Sequence, residues 1–220
     1  MRRPRLQIGY LIALLLIGYF DMWEDTMKTV SMTSVCGALA IIIGIPIGIL
    51  MSHSDRLQSL VKPILDVMQT LPSFVYLIPV VMLFQVGTVS QIVAIVVYSA
   101  IPVVRYTLVG LRGVPQDIVE AAITSGCTVR QILWKVRMPL ALPEIMLGLN
   151  QTIMFGLFMV MIAGFIGGNF DLAREIFKAK AQNDAGLGLL LALCVAFLGL
   201  ATDLLFQTWA NRRKVRLGLI

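Results

Sequence analysis

The chain has 220 residues, of which 58% are hydrophobic and only 14% are charged. A soluble domain usually carries about 25% charged residues, so this composition argues against a soluble enzyme and against a nucleic-acid-binding domain, despite the net charge of +6. The apolar residues fall in long blocks with the charges between them, as in proteins that cross a lipid bilayer several times. We therefore expect an all-α, polytopic membrane protein.

The apolar blocks are long enough to be membrane-spanning helices, which need about 20 mainly apolar residues each. Six stretches meet that length: 6–23, 29–52, 62–86, 89–111, 145–167 and 186–209. The first follows a basic end and has some features of a signal peptide. No small-residue cleavage site precedes Asp21, however, so an uncleaved span is the better interpretation.

The distribution of Lys and Arg predicts the orientation of these spans. The sequence contains 18 such residues. If the N-terminus is cytoplasmic and all six stretches cross the membrane, only four lie on the outer side: Lys28, Arg174, Lys178 and Lys180. This asymmetry obeys the positive-inside rule. Both termini are predicted to be cytoplasmic, in a multi-pass protein of the bacterial plasma (inner) membrane.

Proline and glycine interrupt several of the apolar stretches. Pro46, Pro72, Pro79 and Pro102 each remove a backbone donor, which kinks or breaks a helix. The stretch 44–48 also has a glycine at each end, and small residues let membrane helices approach closely. These features indicate either irregular backbone lining a cavity or close packing between helices.

The cytoplasmic segment between the fourth and fifth stretches has a definite local structure. Pro115 suits the start of a helix. Gly126, nearly three turns later, suits the left-handed residue that follows a helix end. We therefore expect a short helix that ends in a sharp glycine turn.

A second short helix is expected after this turn. Thr128 and Gln131 have the spacing of a capping box, in which each side chain accepts from the other residue's backbone N–H. Pro139 and Pro143 are expected to end this second helix and to direct the chain back into the membrane.

The same segment resembles the "EAA" signature of binding-protein-dependent ABC importer permeases. Glu120-Ala121-Ala122, three residues, Gly126, nine residues and then the run 136–139 reproduce its spacing, with Val136 and Met138 as conservative departures. In that family the helix-turn-helix docks in a groove of a cytoplasmic ATPase. The resemblance implies a coupling role for seven residues within the segment 112–143: Glu120, Ala121, Ala122, Gly126, Val136, Met138 and Pro139.

Two further stretches are similar to permeases for glycine betaine, proline betaine, choline and related osmoprotectants. They are residues 68–80 and 140–152, and the likeness extends over about 29–167. After that it fades: where the family usually has a Gly-Gly-Leu-Gly element, the stretch 167–172 reads GGNFDL.

This resemblance implies a type I ABC importer permease fold with about six transmembrane helices. Residues 1–28 would form the basic end, the first span and an outer loop, and residues 29–220 the permease core. The expected partners are cytoplasmic ABC ATPase subunits, an extracytoplasmic substrate-binding protein, a second permease copy (most simply a homodimer) and the lipid bilayer. The expected cargo is a compatible solute such as glycine betaine, proline or choline.

No enzyme activity is expected of the chain itself. It lacks a P-loop, HExxH and GxSxG, so ATP and Mg²⁺ are expected on the partner ATPase. Neither a catalytic nor a metal site is indicated. The rival interpretation is a secondary transporter or channel for a small polar solute. Such proteins more often show midplane charges or inverted repeats, and the EAA segment would then be unexplained.

A few polar and aromatic residues lie near membrane depth. Asp66, Arg105 and Asp203 are ionisable, and we consider a pairing of Asp203 with Arg105, although each lies close enough to a span end to reach the interface. Aromatic faces attract quaternary ammonium groups. A weak substrate path is therefore a hypothesis for four residues, which are otherwise packing or lipid-facing: Tyr76, Met154, Phe155 and Phe158.

Overall fold

A computed structural model describes residue 15, residues 17–167 and residues 172–216. This part of the chain is helical and contains no β-strand. Its helices, in chain order, are α1 Trp23–His53, α2 Asp55–Thr70, α3 Phe74–Phe84, α4 Thr88–Arg112, α5 Gln116–Thr124, α6 Val129–Gln131, α7 Met138–Gly167, α8 Leu172–Ala181 and α9 Ala185–Arg216. A π-helical turn, Ile132–Arg137, joins α6 to α7 without a break.

Four continuous helices are long and apolar enough to cross a membrane: α1, α4, the helix from Val129 to Ile166, and residues 185–208 of α9. They confirm four of the six predicted spans, at 29–52, 89–111, 145–167 and 186–209. Most of the predicted first span, 6–23, lies outside the described residues, as does most of the variant stretch 167–172.

The predicted span over 62–86 is interrupted at Pro72, as the sequence indicates. α2 and α3 meet there at a bend of 98°, so this part of the chain is either a broken span or a re-entrant loop. The cause is Pro72, because the residue before a proline is driven out of the α-helical region. Leu71 accordingly has φ −69° and ψ 137°. Across the break, the hydroxyl of Tyr76 donates a hydrogen bond to the carbonyl of Met68.

The expectation that Pro139 and Pro143 end a helix is wrong. The chain is helical from Val129 to Gly167 through both prolines. The π-helical turn ends two residues before Pro139, and the N–H of Met138 donates to the carbonyl of Leu133, five residues back. Such a turn is wider than an α-helical one, which relieves the clash of a proline ring with the preceding turn. The helix is therefore reshaped rather than ended.

α4 is the central helix of the bundle. It packs most extensively against α7, and α1 packs along another side. α9 packs on α7, and α8 joins α7 to α9. Buried residues of α4, α7, α8 and α9 form the largest apolar core, and a smaller one joins α2 to α4 around Leu65, Ile101 and Val104.

Glycines on α1 allow this close packing, as the stretch 44–48 predicts. A Cβ built on Gly44 would lie 2.3 Å from Cγ1 of Val103 on α4. One built on Gly48 would lie 2.6 Å from Cβ of Thr107 and 2.8 Å from the carbonyl oxygen of Val104. Backbone and Cβ atoms cannot move aside as a flexible side chain does. Only glycine therefore fits where α1 meets α4.

We predict that Gly48→Ala destabilises the protein by about 1–3 kcal/mol, the usual cost of overpacking. The added methyl group must push α1 away from α4. Thermal unfolding of the detergent-solubilised protein, followed by size-exclusion chromatography, measures the effect.

Gly156→Ala on α7 is the matched control. Its Cβ would lie in ordinary contact, 3.7 Å from Cβ of Ser99 and 3.8 Å from Cγ2 of Thr33. Because alanine favours a helix over glycine by about 1 kcal/mol, this change should be neutral or stabilising. Equal losses in both variants would contradict the assignment of the α1–α4 contact.

Candidate functional site

The first candidate site is the segment between α4 and α7, which folds as a short helix, a glycine turn and a second helix. α5 ends in a Schellman motif: the N–H of Gly126 donates to the carbonyl of Ile123 at 2.9 Å, and that of Cys127 to the carbonyl of Ala122 at 3.1 Å. Gly126 has φ +78°. The glycine turn that the sequence predicts is therefore confirmed.

The start of the second helix is also as predicted. The N–H of Thr128 donates to Oε1 of Gln131 at 2.8 Å, and the N–H of Gln131 donates to the Thr128 hydroxyl at 3.4 Å. Both halves of the capping box are present. The orientation of α6 is thus fixed by its own side chains, directly after the left-handed glycine.

A small apolar core holds α5 against the second helix. Val114, Val119 and Ile132 are buried, with Ala122, Cys127 and Leu140 packed around them. Val119 and Ala122 lie on the same side of α5 because they are three residues apart. The helix-turn-helix is therefore a packed unit, attached to the membrane helices at Val114 and Leu140.

The structure places the seven EAA-type residues in two groups. Glu120, Ala121 and Gly126 are exposed, and Ala122 is half-buried against the small core. The others are half-buried at or just after the π-helical turn, where the segment joins α7: Val136, Met138 and Pro139. The first group lies on the surface of the segment, and the second at its connection to the membrane.

Sequence reasoning missed the apolar residues that this segment exposes. Ile123 is 56% exposed and Val129 73% exposed, on either side of the glycine turn, and Ile118 and Trp134 are exposed as well. Their signal was the presence of large apolar side chains in a segment otherwise rich in charge. An exposed apolar surface of this kind is typical of a protein contact.

The second candidate site is a cluster of aromatic rings between α3, α4 and α7. The ring of Tyr98 lies 5.5 Å from that of Tyr76, 5.2 Å from that of Phe155 and 6.5 Å from that of Phe158, between centroids. The structure thus brings together three of the four residues of the hypothetical substrate path. The sequence analysis missed Tyr98, the ring that joins them.

Met154, the fourth of these residues, faces another helix. Its Cε atom lies 3.6 Å from where a Cβ on Gly199 of α9 would be. Met154 therefore packs between α7 and α9, away from the three ring contacts of Tyr98.

Charged residues join α2 to α4 on the C-terminal side of Tyr98, the α4 residue of the aromatic cluster. Nη2 of Arg105 donates to Oδ1 of Asp66 at 2.6 Å, and Nη2 of Arg112 donates to Oδ1 of Asp55 at 2.6 Å. The side chains of Arg105 and Asp66 are 31% and 49% exposed. Both arginines lie in the C-terminal half of α4, within reach of the membrane interface, and each ion pair offsets part of the cost of a charge near membrane depth.

The hypothesis that Asp203 pairs with Arg105 is wrong. Oδ1 of Asp203 accepts from Nδ2 of Asn150 at 2.7 Å, and its Oδ2 accepts from Nε2 of Gln207 at 2.7 Å. Asn150 is buried on α7 and Asp203 lies on α9. The carboxylate thus joins α9 to α7, because these two helices are neighbours and Arg105 is already paired with α2.

Comparison with known proteins matches the sequence of this chain to one family. Residues 40–215 match the family described as "binding-protein-dependent transport system inner membrane component". The trimethylamine N-oxide transport permease TmoV of Pelagibacter ubique is 44% identical over 99% of the chain, but the chain spans only 30% of that protein's length. The glycine betaine/carnitine permease GbuB of Listeria monocytogenes is 40% identical, with 92% of this chain and 72% of that protein covered.

A solved structure shares the fold. The inward-facing MetNI methionine ABC transporter contains a chain that is 20% identical and superimposes with a TM-score of 0.79, over 97% of this chain and 99% of that one. The family match covers most of the chain and agrees with the several apolar helices. The protein therefore belongs to the family of binding-protein-dependent transport system inner membrane components.

Proposed function

We propose that the chain is the permease subunit of an ATP-driven importer for a methylated compatible solute, such as glycine betaine, proline betaine, choline or trimethylamine N-oxide. The observation that carries the proposal is its similarity to TmoV and GbuB over nearly its whole length. The names of those proteins specify trimethylamine N-oxide and glycine betaine or carnitine. These cargoes share a nitrogen atom that carries three methyl groups.

In the proposed assembly, the segment from α5 to the π-helical turn docks on a cytoplasmic ABC ATPase. The exposed apolar side chains near the glycine turn supply the contact area, and Glu120 lies beside them on the exposed side of α5. ATP and Mg²⁺ bind to that partner. A second permease copy completes the transmembrane path, and an extracytoplasmic binding protein supplies the solute. Both chain termini are cytoplasmic in this arrangement.

The continuous helix supports a mechanical role for the docked segment. α6, the π-helical turn and α7 have no flexible link between them, so a displacement of α6 by a closing ATPase is passed directly to α7. α7 packs along α4 and α9. Movement of the docked segment therefore tilts the membrane helices rather than bending a loop, and no residue needs to perform acid–base or covalent chemistry.

A secondary transporter is the rival function, and one experiment separates the two. The chain is purified with its co-purifying ATPase and reconstituted into liposomes with the matching binding protein. We expect uptake of ¹⁴C-labelled glycine betaine that requires ATP and Mg²⁺ on the ATPase side and stops when the binding protein is omitted. Uptake by the permease alone, driven by an ion gradient, would favour the rival.

We predict that Gly126→Val weakens binding of the ATPase about tenfold, since a residue other than glycine pays roughly 1–2 kcal/mol in the left-handed region. The native turn must form for α5 and α6 to dock together. A Cβ at this position meets no atom within 4 Å, so a loss reflects the backbone conformation rather than a clash. Pull-down of the ATPase at graded concentrations measures it.

Gly126→Asn is the control, because asparagine tolerates the left-handed conformation. It should retain most of the ATPase binding and uptake. Wild-type binding in both variants would contradict a docking role for the turn.

We also predict that Ile123→Ala reduces ATPase binding by about fivefold, since burying the exposed half of an isoleucine side chain at the contact is worth about 1 kcal/mol. Ile43→Ala on α1 is the matched control: Ile43 is 48% exposed and lies in a membrane-spanning helix. Both changes remove the same atoms. Equal effects of the two would mean that Ile123 lies outside the contact.

A further inference from the structure

Three residues of α4 form a regular series along one face of the helix. Tyr98, Arg105 and Arg112 are seven residues apart, so successive members differ in direction by only about 20° and are separated by about 10.5 Å along the axis. Arg105 and Arg112 are paired with Asp66 and Asp55 of α2, respectively. Tyr98 is surrounded by aromatic rings instead.

Arg105 has donors to spare within this series. A guanidinium group carries five N–H donors. Nη2 donates to Asp66, and the Nε is buried without an acceptor among the described residues, so the donors left for a ligand are those of the Nη atoms. The Cα–Cβ bond of a helical residue tilts toward the helix N-terminus, and on α4 that is the direction from Arg105 to Tyr98.

The aromatic cluster presents ring surface that is partly exposed. Tyr98 and Phe155 are stacked with an interplanar angle of 27°, and Phe158 beside them is 53% exposed. The hydroxyl of Tyr76 is already bonded to the carbonyl of Met68. What remains accessible is an aromatic surface, which attracts cations through the negative face of each ring.

We propose that Tyr98 and Arg105 form a weak transit site for a methylated zwitterion on its way through the membrane. The methylated nitrogen rests on the rings of Tyr98 and Phe158, and the anionic oxygen of the same molecule accepts hydrogen bonds from Arg105. This inference rests on the proposed function. It adds a specific site and a recognition rule: the rings hold the methylated nitrogen, and Arg105 adds affinity for a ligand that also carries an anionic oxygen nearby.

Asp66 limits the affinity of this site. It occupies Arg105 before a ligand arrives, so the carboxylate of glycine betaine or the oxygen of trimethylamine N-oxide has to share the guanidinium with it. A site whose cation is already paired holds its ligand loosely, which suits a transport path because a tight site retards release. The same pair keeps Arg105 in place when the site is vacant.

Saturation-transfer NMR on the permease–ATPase complex in nanodiscs, without binding protein, tests the proposal. The probes are glycine betaine and tetramethylammonium at millimolar concentration. We expect transfer to the N-methyl protons of both probes. Tyr98→Leu should reduce it about tenfold through loss of the cation–π contact, whereas Tyr98→Phe, which keeps the ring, should retain it. Equal signals from the Leu and Phe variants would overturn the aromatic half of the site.

The role of Arg105 is separated from its ion pair by a second comparison. Arg105→Gln and Asp66→Asn both break the pair. We expect Arg105→Gln to lower the glycine betaine signal about fivefold, as for loss of a charge-assisted hydrogen bond, and to leave the tetramethylammonium signal unchanged. Asp66→Asn should preserve or raise the glycine betaine signal. The same loss in both variants would reduce Arg105 to a structural role.

The site and the proposed function can fail separately. If the wild-type assembly takes up glycine betaine with ATP while Tyr98→Leu leaves both methyl signals unchanged, the transit site is wrong and the importer stands. If the wild-type assembly takes up no methylated solute, the proposed function fails, whatever the NMR signals show.

Discussion

The glycine contacts around α4 are the constraint on which the rest of the structure depends. α1 approaches α4 at Gly44 and Gly48, and α7 approaches it where a Cβ on Gly148 would lie 2.6 Å from Cβ of Tyr106. Because Cβ or backbone atoms meet at Gly48 and Gly148, and the branched side chain of Val103 meets Gly44, α4 can neither rotate nor slide without a clash. The rotation of α4 in the bundle is therefore fixed. This rotation sets the direction of the face that carries Tyr98, Arg105 and Arg112.

α2 and α3 cover that side of α4 in two different ways. α2 is held by ion pairs at Arg112 and Arg105 and by an apolar patch around Leu65. After the break at Pro72, α3 has no such charges and contacts α4 through the ring of Tyr76. The bend at Pro72 thus divides one face of α4 into a charged C-terminal half and an aromatic N-terminal half.

Features set by a few neighbouring residues were predictable from the sequence. The Thr128–Gln131 capping box and the left-handed Gly126 depend on local hydrogen bonds and backbone freedom, and both are present. Partners that lie far apart in sequence were not. Arg105 was weighed against Asp203 because both lie near membrane depth, but it is the packing of α2 against α4 that brings Asp66 close to Arg105. Tyr98 stood alone in an apolar stretch, and its one signal was the seven-residue spacing to Arg105 and Arg112.

The π-helical turn at Ile132–Arg137 sets the angular phase between the cytoplasmic unit and the membrane helix. One residue of an α-helix corresponds to about 100° of rotation and 1.5 Å of rise. The extra residue in this turn therefore determines which way the glycine turn points when α7 is held in the bundle. A relative of this protein with one residue fewer here would present the same helix-turn-helix to a different side of the molecule. The number of residues between Gln131 and Met138 thus determines the orientation of the helix-turn-helix relative to the membrane helices.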